Sequence, residues 1–217
     1  MRHGLSLLMK VRYKTHDKRS KGVFACVEGI DFVGKTTTCR LAAERLIRKG
    51  YSVQHVHFPI NKPDLTLDHK TLINIFLTEM LDEKGRLEEK LNCGMTIFVD
   101  RYFYSTLAYQ GKTDDDMAYI IEMIKSYNLL VPDIVFLIDA DPSILLSRMR
   151  DEKRDTFESN LRFQAEVRER FLELYKQRPF GARWLKLDGL GKLGENIKLT
   201  VSRLLQLMRR PGFEPGS

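Results

Sequence analysis

Apolar and polar residues alternate along the chain in blocks that predict strands separated by helices. Short apolar runs rich in β-branched residues occur at 23–27, 52–58, 95–99 and 133–139, with a weaker run at 184–187. Helical spacing of apolar residues covers 35–49, 64–80, 82–92, 102–127 with a break near Gly111, 141–150, 157–177 and 192–208. This alternation predicts a three-layer α/β fold, with about five parallel strands and helices on both faces.

A glycine-rich loop follows the first predicted strand. It reads Gly-Ile-Asp-Phe-Val-Gly-Lys-Thr over residues 29–36 and leads directly into a helical pattern. Glycines let backbone N–H groups converge on phosphate oxygens, and the helix directs its positive dipole end at them. The pattern predicts a P-loop NTPase fold that binds ATP, with Lys35 across the β and γ phosphates and Thr36 on Mg²⁺. The predicted ATP-binding residues are Gly29, Ile30, Asp31, Phe32, Val33, Gly34, Lys35, Thr36 and Thr37.

An aspartate and an arginine follow the third predicted strand. Asp100 and Arg101 fall at the strand end that lies beside the phosphate loop in a parallel sheet. Arg101 is therefore predicted to clamp the phosphate of a second ligand, and Asp100 to hold a Mg²⁺-bound water. A purely structural ion pair is the alternative for these two residues by themselves.

The positive charge of the chain is concentrated at its beginning. The net charge is +7, and residues 1–21 contribute seven basic residues against Asp17 alone. The remainder is nearly neutral, which argues against a nucleic-acid partner. We expect residues 1–21 to be a disordered extension, with a weak electrostatic anchor or an organellar targeting segment as alternatives. The Pro- and Gly-rich residues 209–217 are expected to form a flexible tail.

Other features of the sequence narrow the class of protein. Apolar stretches are too short to cross a bilayer, and the odd cysteine count suits a reducing compartment, so we expect a cytoplasmic protein with no membrane partner. Residues 61–64 match the NKxD pattern of GTPases, and residues 82–85 match their DxxG pattern. The two motifs occur in the reverse of the GTPase order, which disfavours a switch GTPase.

Residues 100–110 read Asp-Arg-Tyr-Phe-Tyr-Ser-Thr-Leu-Ala-Tyr-Gln, and with the phosphate loop this stretch resembles the thymidylate kinase family. The resemblance covers about residues 22–205 and includes Glu28-Gly29-Ile30-Asp31, Phe58-Pro59 and Pro132-Asp133. It implies a kinase domain over 22–208 that phosphorylates dTMP to dTDP, with ATP as co-substrate and Mg²⁺ as cofactor. A homodimer is also implied, because the family is commonly dimeric.

The resemblance implies a role for each matching residue of the acceptor site. Asp31 would bind the sugar 3′-hydroxyl, Phe76 would stack on the pyrimidine, and Arg101 would hold the monophosphate. Tyr109 would crowd the sugar 2′ position and so favour deoxyribose. The implied substrate-binding residues are Asp31, Phe58, Phe76, Arg101, Ser105, Tyr109 and Gln110.

A basic segment near 148–158 resembles the lid that closes over ATP in this family. Phe32, not arginine, follows Asp31, so the resemblance implies that an arginine of the lid stabilises the transition state. The lid also contains Lys153. The implied catalytic residues are Lys35, Asp100, Arg101, Arg148, Arg150 and Arg154, and the implied metal ligands are Thr36 and Asp100.

Two departures from the family pattern concern the choice of base. Met80 occupies a position where the family has an arginine that contacts the base. Asn61 occupies the position, just after Phe58-Pro59, where the family has another arginine. Loss of such contacts mainly reduces discrimination between bases. The alternatives are therefore a kinase for another pyrimidine monophosphate or a deoxynucleoside, and a non-catalytic nucleotide-binding regulator. No carboxylate follows the second strand, which disfavours activation of a neutral nucleoside hydroxyl.

Overall fold

Five parallel strands form the centre of the computed structural model, which describes residues 22–149, 154 and 158–209. The strands are β1 (Phe24–Glu28), β2 (Val53–His57), β3 (Thr96–Asp100), β4 (Ile134–Asp139) and β5 (Arg183–Asp188). Their order in the sheet is β2-β3-β1-β4-β5, and every neighbouring pair is parallel. The predicted five-stranded α/β fold is confirmed. The expectations for residues 1–21 and for the end of the chain beyond Arg209 lie outside the described residues.

Besides the helical residues 154, 158 and 159, seven α-helices whose bounds lie fully within the described residues connect and flank these strands. They are α1 (Lys35–Ile47), α2 (His69–Asn92), α3 (Phe103–Gln110), α4 (Asp114–Ser126), α5 (Pro142–Arg148), α6 (Leu161–Gln177) and α7 (Leu193–Met208). A short 3-10 turn, Pro179–Gly181, precedes β5. α1 packs against α7, whereas α3 packs against α2, α4 and α6.

One predicted helix boundary is wrong. The chain forms a single helix α2 where two helices, 64–80 and 82–92, were expected. No glycine or proline interrupts residues 80–82, and buried residues such as Ile73, Leu77 and Leu87 continue one face across this point. The helix begins only at His69, because Asp68 caps it by accepting the backbone N–H of Thr71 at 3.1 Å.

The predicted break near Gly111 is confirmed, because it separates α3 from α4. Thr113 caps α4 through a capping box, in which its hydroxyl oxygen accepts the N–H of Asp116 at 3.1 Å and the Asp116 carboxylate accepts the N–H of Thr113 at 3.0 Å. Asp114 and Asp115 complete an acidic first turn that favours the positive end of the helix dipole.

Burial along the strands shows that both faces of the sheet are covered. Every residue of β1 and β3 is buried, and successive side chains of a strand point to opposite faces. β1 lies between β3 and β4, and Val27 pairs with Asp100 in register. The loops that follow β1 and β3 therefore emerge side by side at the carboxyl edge of the sheet.

Among the described residues, none of the helices combines the length and the apolar character that a bilayer-crossing segment requires.

Candidate active site at the carboxyl edge of the sheet

The glycine-rich loop joins β1 to α1 in the geometry that phosphate binding needs. Gly29 has φ 146°, and a Cβ there would lie 2.4 Å from the carbonyl oxygen of Ile138. Gly34 has φ 98° and forms the N-cap of α1, with open space where a Cβ would point. Only glycine adopts both conformations at little cost, and the first N–H groups of an α-helix have no partner within the helix.

Lys35 is buried beneath this loop. Its ammonium group donates a hydrogen bond to the carbonyl oxygen of Ile30 at 2.6 Å. Burial, with a further contribution from Arg101, lowers the pKa of Lys35 to about 7, and nearby carboxylates oppose the shift. An anionic phosphate in the loop would favour the charged ammonium.

Asp100 lies among polar groups that suit a hydrated magnesium ion. Its carboxylate accepts hydrogen bonds from the hydroxyl of Thr36 at 2.5 Å and from Nδ1 of His57 at 3.0 Å. Burial raises the pKa of Asp100, but these hydrogen bonds outweigh it and hold the pKa below its ordinary value. The second carboxylate oxygen, Oδ1, is buried and has no hydrogen-bond partner among the residues that the structure describes.

The residues present fit Mg²⁺, which prefers oxygen ligands and retains several of its waters. The orphaned Oδ1 of Asp100 can accept a hydrogen bond from such a water, and Thr36 offers a hydroxyl oxygen. Within the described ranges, no three side chains of His, Cys, Asp or Glu come together as a metal cluster. A magnesium site here would therefore depend on phosphate oxygens for much of its coordination.

Arg101 lies between the phosphate loop and a cavity in the protein. Its guanidinium forms an ion pair with the carboxylate of Asp31 and sits 5.1 Å from the centre of the Tyr109 ring. Burial raises the pKa of Asp31, but Arg101 and Lys35 outweigh it and lower the pKa below its ordinary value. Arg101 is thus already balanced by a carboxylate before any phosphate binds.

Asp31 is the centre of a wider hydrogen-bond network. Its carboxylate accepts the hydroxyl of Tyr109 at 3.1 Å and the side-chain amide of Gln164 at 2.8 Å. Its own N–H donates to the amide oxygen of Gln164 at 3.1 Å. Gln164 is 3% exposed and belongs to α6, so this helix is fixed directly to the phosphate loop.

The cavity beside Arg101 has a volume of about 390 Å³. The structure brings to it all seven residues predicted for substrate binding, namely Asp31, Phe58, Phe76, Arg101, Ser105, Tyr109 and Gln110. Met80 and Lys62 also line it, and Met80 is almost fully buried. An apolar cavity with convergent polar groups is typical of a site for a small molecule.

The residues predicted for the lid are described only in part. Arg154 is helical and lies 4.0 Å from the Glu158 carboxylate, at the limit of an ion pair. The backbone of Arg148 ends α5. Arg150 and Lys153 lie outside the described residues. The catalytic roles of this segment stay predictions.

Several residues of the site were not predicted from the sequence, and three of them interact with its charged groups. Glu28 is a buried carboxylate behind the loop, His57 contacts Asp100, and Gln164 contacts Asp31. The position of His57 at the end of β2 is a signal that could have found it, because the strand ends meet at one edge. Gln164 is 133 residues from Asp31, and no local pattern marks it.

Comparison with known proteins agrees with this geometry. The sequence profile of the family described as "Thymidylate kinase" matches residues 27–181. The chain is 31% identical over 194 residues to a "Probable thymidylate kinase" of Sulfurisphaera tokodaii, covering 86% of this chain and 97% of the relative. It is 30% identical over 207 residues to the "Thymidylate kinase" of Caldanaerobacter subterraneus subsp. tengcongensis, covering 87% and 98%.

A further relative is the "Thymidylate kinase" of Leptospira borgpetersenii serovar Hardjo-bovis, 31% identical over 156 residues, covering 65% of this chain and 76% of the relative. The profile match begins within β1, includes the loop after it, and extends past β3 to the turn before β5. The phosphate loop, the Asp-Arg pair and the sheet order thus occur in a chain that belongs to the thymidylate kinase family.

Proposed function

We propose that this protein transfers the γ-phosphoryl group of ATP to dTMP, forming ADP and dTDP. The observation that carries the proposal is the position of Arg101, which borders the acceptor cavity and also contacts Asp31 of the phosphate loop. A phosphate held by Arg101 would lie beside the terminal phosphate held by the loop. Such an arrangement supports direct transfer between two bound nucleotides.

The proposed chemistry rests on positioning and charge neutralisation. Lys35 and the N–H groups of the loop hold the ATP phosphates, and Arg101 holds the monophosphate of the acceptor. Bound Mg²⁺, held through Thr36 and an Asp100-bonded water, would supply positive charge on the donor phosphates. The attacking phosphate oxygen is already anionic near neutral pH, so the acceptor needs no general base. A lid arginine, from among Arg148, Arg150 and Arg154, completes the proposal.

The cavity supports a pyrimidine nucleotide as acceptor. Phe76 and Phe58 offer aromatic faces, while Ser105 and Gln110 offer polar groups for the edge of the base. Asp31 would accept a sugar hydroxyl beside its contacts with Arg101, Tyr109 and Gln164. Another pyrimidine monophosphate is the second candidate, because buried Met80 provides no hydrogen bond to select thymine.

The proposal includes the assembly and location of the enzyme. We propose a homodimer that acts in the cytoplasm on small molecules, with no nucleic-acid or membrane partner. The family resemblance supports the dimer, and the nearly neutral charge of residues 22–217 supports the absence of nucleic acid. We propose that residues 1–21 and 209–217 lie outside the kinase domain of 22–208.

An assay of ADP release with a panel of acceptors tests the function. We expect turnover with dTMP to exceed turnover with UMP or dCMP, and thymidine to be a poor acceptor. Arg101→Ala is expected to lower kcat/KM for dTMP by about a hundredfold, from the loss of charge-assisted bonds worth roughly 3 kcal/mol. Arg40→Ala is the matched control, because Arg40 is an exposed cation that pairs with Glu44 on α1. Equal rates on thymidine and dTMP would contradict the proposal.

A further inference from the structure

Glu28, the last residue of β1, holds a carboxylate between the two loops of the site. Its side chain is completely buried. Oε1 accepts the backbone N–H of Tyr102 at 2.8 Å, and Oε2 accepts the hydroxyl of Ser105 at 2.6 Å. Both partners belong to the start of α3. The carboxylate therefore joins the end of the central strand to the first turn of α3.

Arg101 immediately precedes Tyr102, the backbone partner of Glu28. Its φ of 66° lies in the left-handed region, which costs energy for a residue other than glycine. Its N–H donates to the carbonyl oxygen of Val27 at 3.1 Å, and the next N–H, of Tyr102, donates to Glu28. Two consecutive N–H groups are thus fixed by the end of β1. The direction in which the guanidinium leaves the backbone depends on these two bonds.

A carboxylate at this buried position is not explained by packing. The preceding residues of β1, Phe24 to Val27, are all apolar and fully buried. Burial of a charged group is costly unless hydrogen bonds and opposite charges offset it. Both side-chain hydrogen bonds that the described structure gives Glu28 go to the start of α3, and the charges of Arg101 and Lys35 offset only part of the cost of burying its carboxylate. The described residues that donate hydrogen bonds to Glu28, Tyr102 and Ser105, both line the acceptor cavity.

We infer that Glu28 is a positioning residue of the acceptor site. Through its two hydrogen bonds it fixes the backbone beside Arg101 and the hydroxyl of Ser105, so that binding of the acceptor monophosphate depends on it. Ser105 and Arg101 both line the acceptor cavity. The inference rests on the proposed function, because it takes the cavity to be the dTMP site.

Two substitutions of Glu28 distinguish the effect of the position of its side-chain oxygens from the effect of their negative charge. Glu28→Gln keeps an oxygen that can accept the Tyr102 N–H, and its amide can donate to the oxygen of Ser105. Glu28→Asp keeps the negative charge but shortens the side chain by one methylene, which moves both carboxylate oxygens away from their partners. We expect Glu28→Asp to weaken the Kd for dTMP about tenfold and Glu28→Gln to stay within about threefold of the wild type. The Kd for Mg²⁺-ATP is expected to change less than about twofold in both.

Calorimetric titration of the full-length chain with dTMP and with Mg²⁺-ATP measures both constants. Asp133→Asn is the matched control, because the Asp133 carboxylate accepts the N–H of Phe24 at 3.0 Å at the opposite end of β1. It is expected to lower the melting temperature and to leave both Kd values unchanged. The inference is overturned if Glu28→Asp binds dTMP like the wild type, if Glu28→Gln loses as much affinity as Glu28→Asp, or if both ligands are weakened equally.

Amide hydrogen exchange provides a second measurement that does not depend on Glu28→Asp folding. We expect the amides of residues 101–105 to exchange as slowly in Glu28→Gln as in the wild type, because both bonds persist. Faster exchange confined to these amides would overturn the inference. The proposed function is judged separately, by turnover of the wild type with dTMP. Absence of that turnover would refute the function, while the affinity and exchange patterns still decide the role of Glu28.

Discussion

The buried carboxyl group of Glu28 makes the stability of the protein depend on pH, and Glu28→Gln removes that dependence. Burial raises the pKa of Glu28 from 4.5 to about 7, although hydrogen bonds from Ser105 and Tyr102 and the charges of Arg101 and Lys35 oppose the shift. The folded state therefore holds this proton more tightly than the unfolded state. The stability contributed by the protonated group is fully present below pH 4.5 and is lost as the pH rises through 7.

The size of the effect follows from the interval between the two pKa values of Glu28. That interval corresponds to about 3 kcal/mol in the free energy of unfolding. Glutamine carries no titrating proton, and its amide fills nearly the same volume. The difference in unfolding free energy, Glu28→Gln minus wild type, is thus expected to grow by about 3 kcal/mol between about pH 4.5 and about pH 7 and then to level off.

Urea unfolding of both proteins across this pH range measures the difference directly. Taking the difference cancels the titration of the groups that do not interact with Glu28, because they are common to both chains. The dependence of the unfolding free energy on urea is expected to be equal in the two proteins. A difference that stays constant with pH, or that falls as the pH rises, would refute the reasoning.

Two further predictions concern the metal and the phosphate loop. Asp100→Asn is expected to raise the Mg²⁺ concentration needed for half-maximal turnover at least about tenfold, and an unchanged requirement would contradict the assigned role. Gly29→Ala is expected to destabilise the protein by roughly 1–3 kcal/mol in thermal melting, because its Cβ would clash with the Ile138 carbonyl oxygen. Gly194→Ala, where a Cβ meets open space, is the control, and equal melting temperatures for the two variants would contradict the argument.

Much of the fold was predictable because its signals are local. The β-branched runs mark the strands, and the loop of Gly29 and Gly34 marks the junction of β1 and α1. Parallel pairing then brings Asp100 and Arg101 beside that loop, as predicted. The start of α2 was missed because several polar residues before Asp68 are also of types that can cap a helix. Only the three-dimensional contacts identify Asp68 as the cap.

The rest of the candidate site depends on contacts between distant parts of the chain. Glu28 reads as one more residue of a strand until its partners in α3 are known. Gln164 lies in an amphipathic helix where a single amide has no distinguishing pattern. The family resemblance supplied the acceptor residues Phe76 and Tyr109, which spacing alone would not have identified. The structure places both at one cavity.

The bridge between Asp31 and Gln164 has a consequence for how the protein is made. When the ribosome has synthesised the first two-thirds of the domain, the phosphate loop has already been made. Gln164, whose side-chain amide bonds to Asp31 of that loop, has not yet been translated. Loop closure over so long a separation is entropically demanding and comes late in folding. The phosphate loop therefore lacks its bonds to Gln164 until that part of α6 has been synthesised and has folded against it.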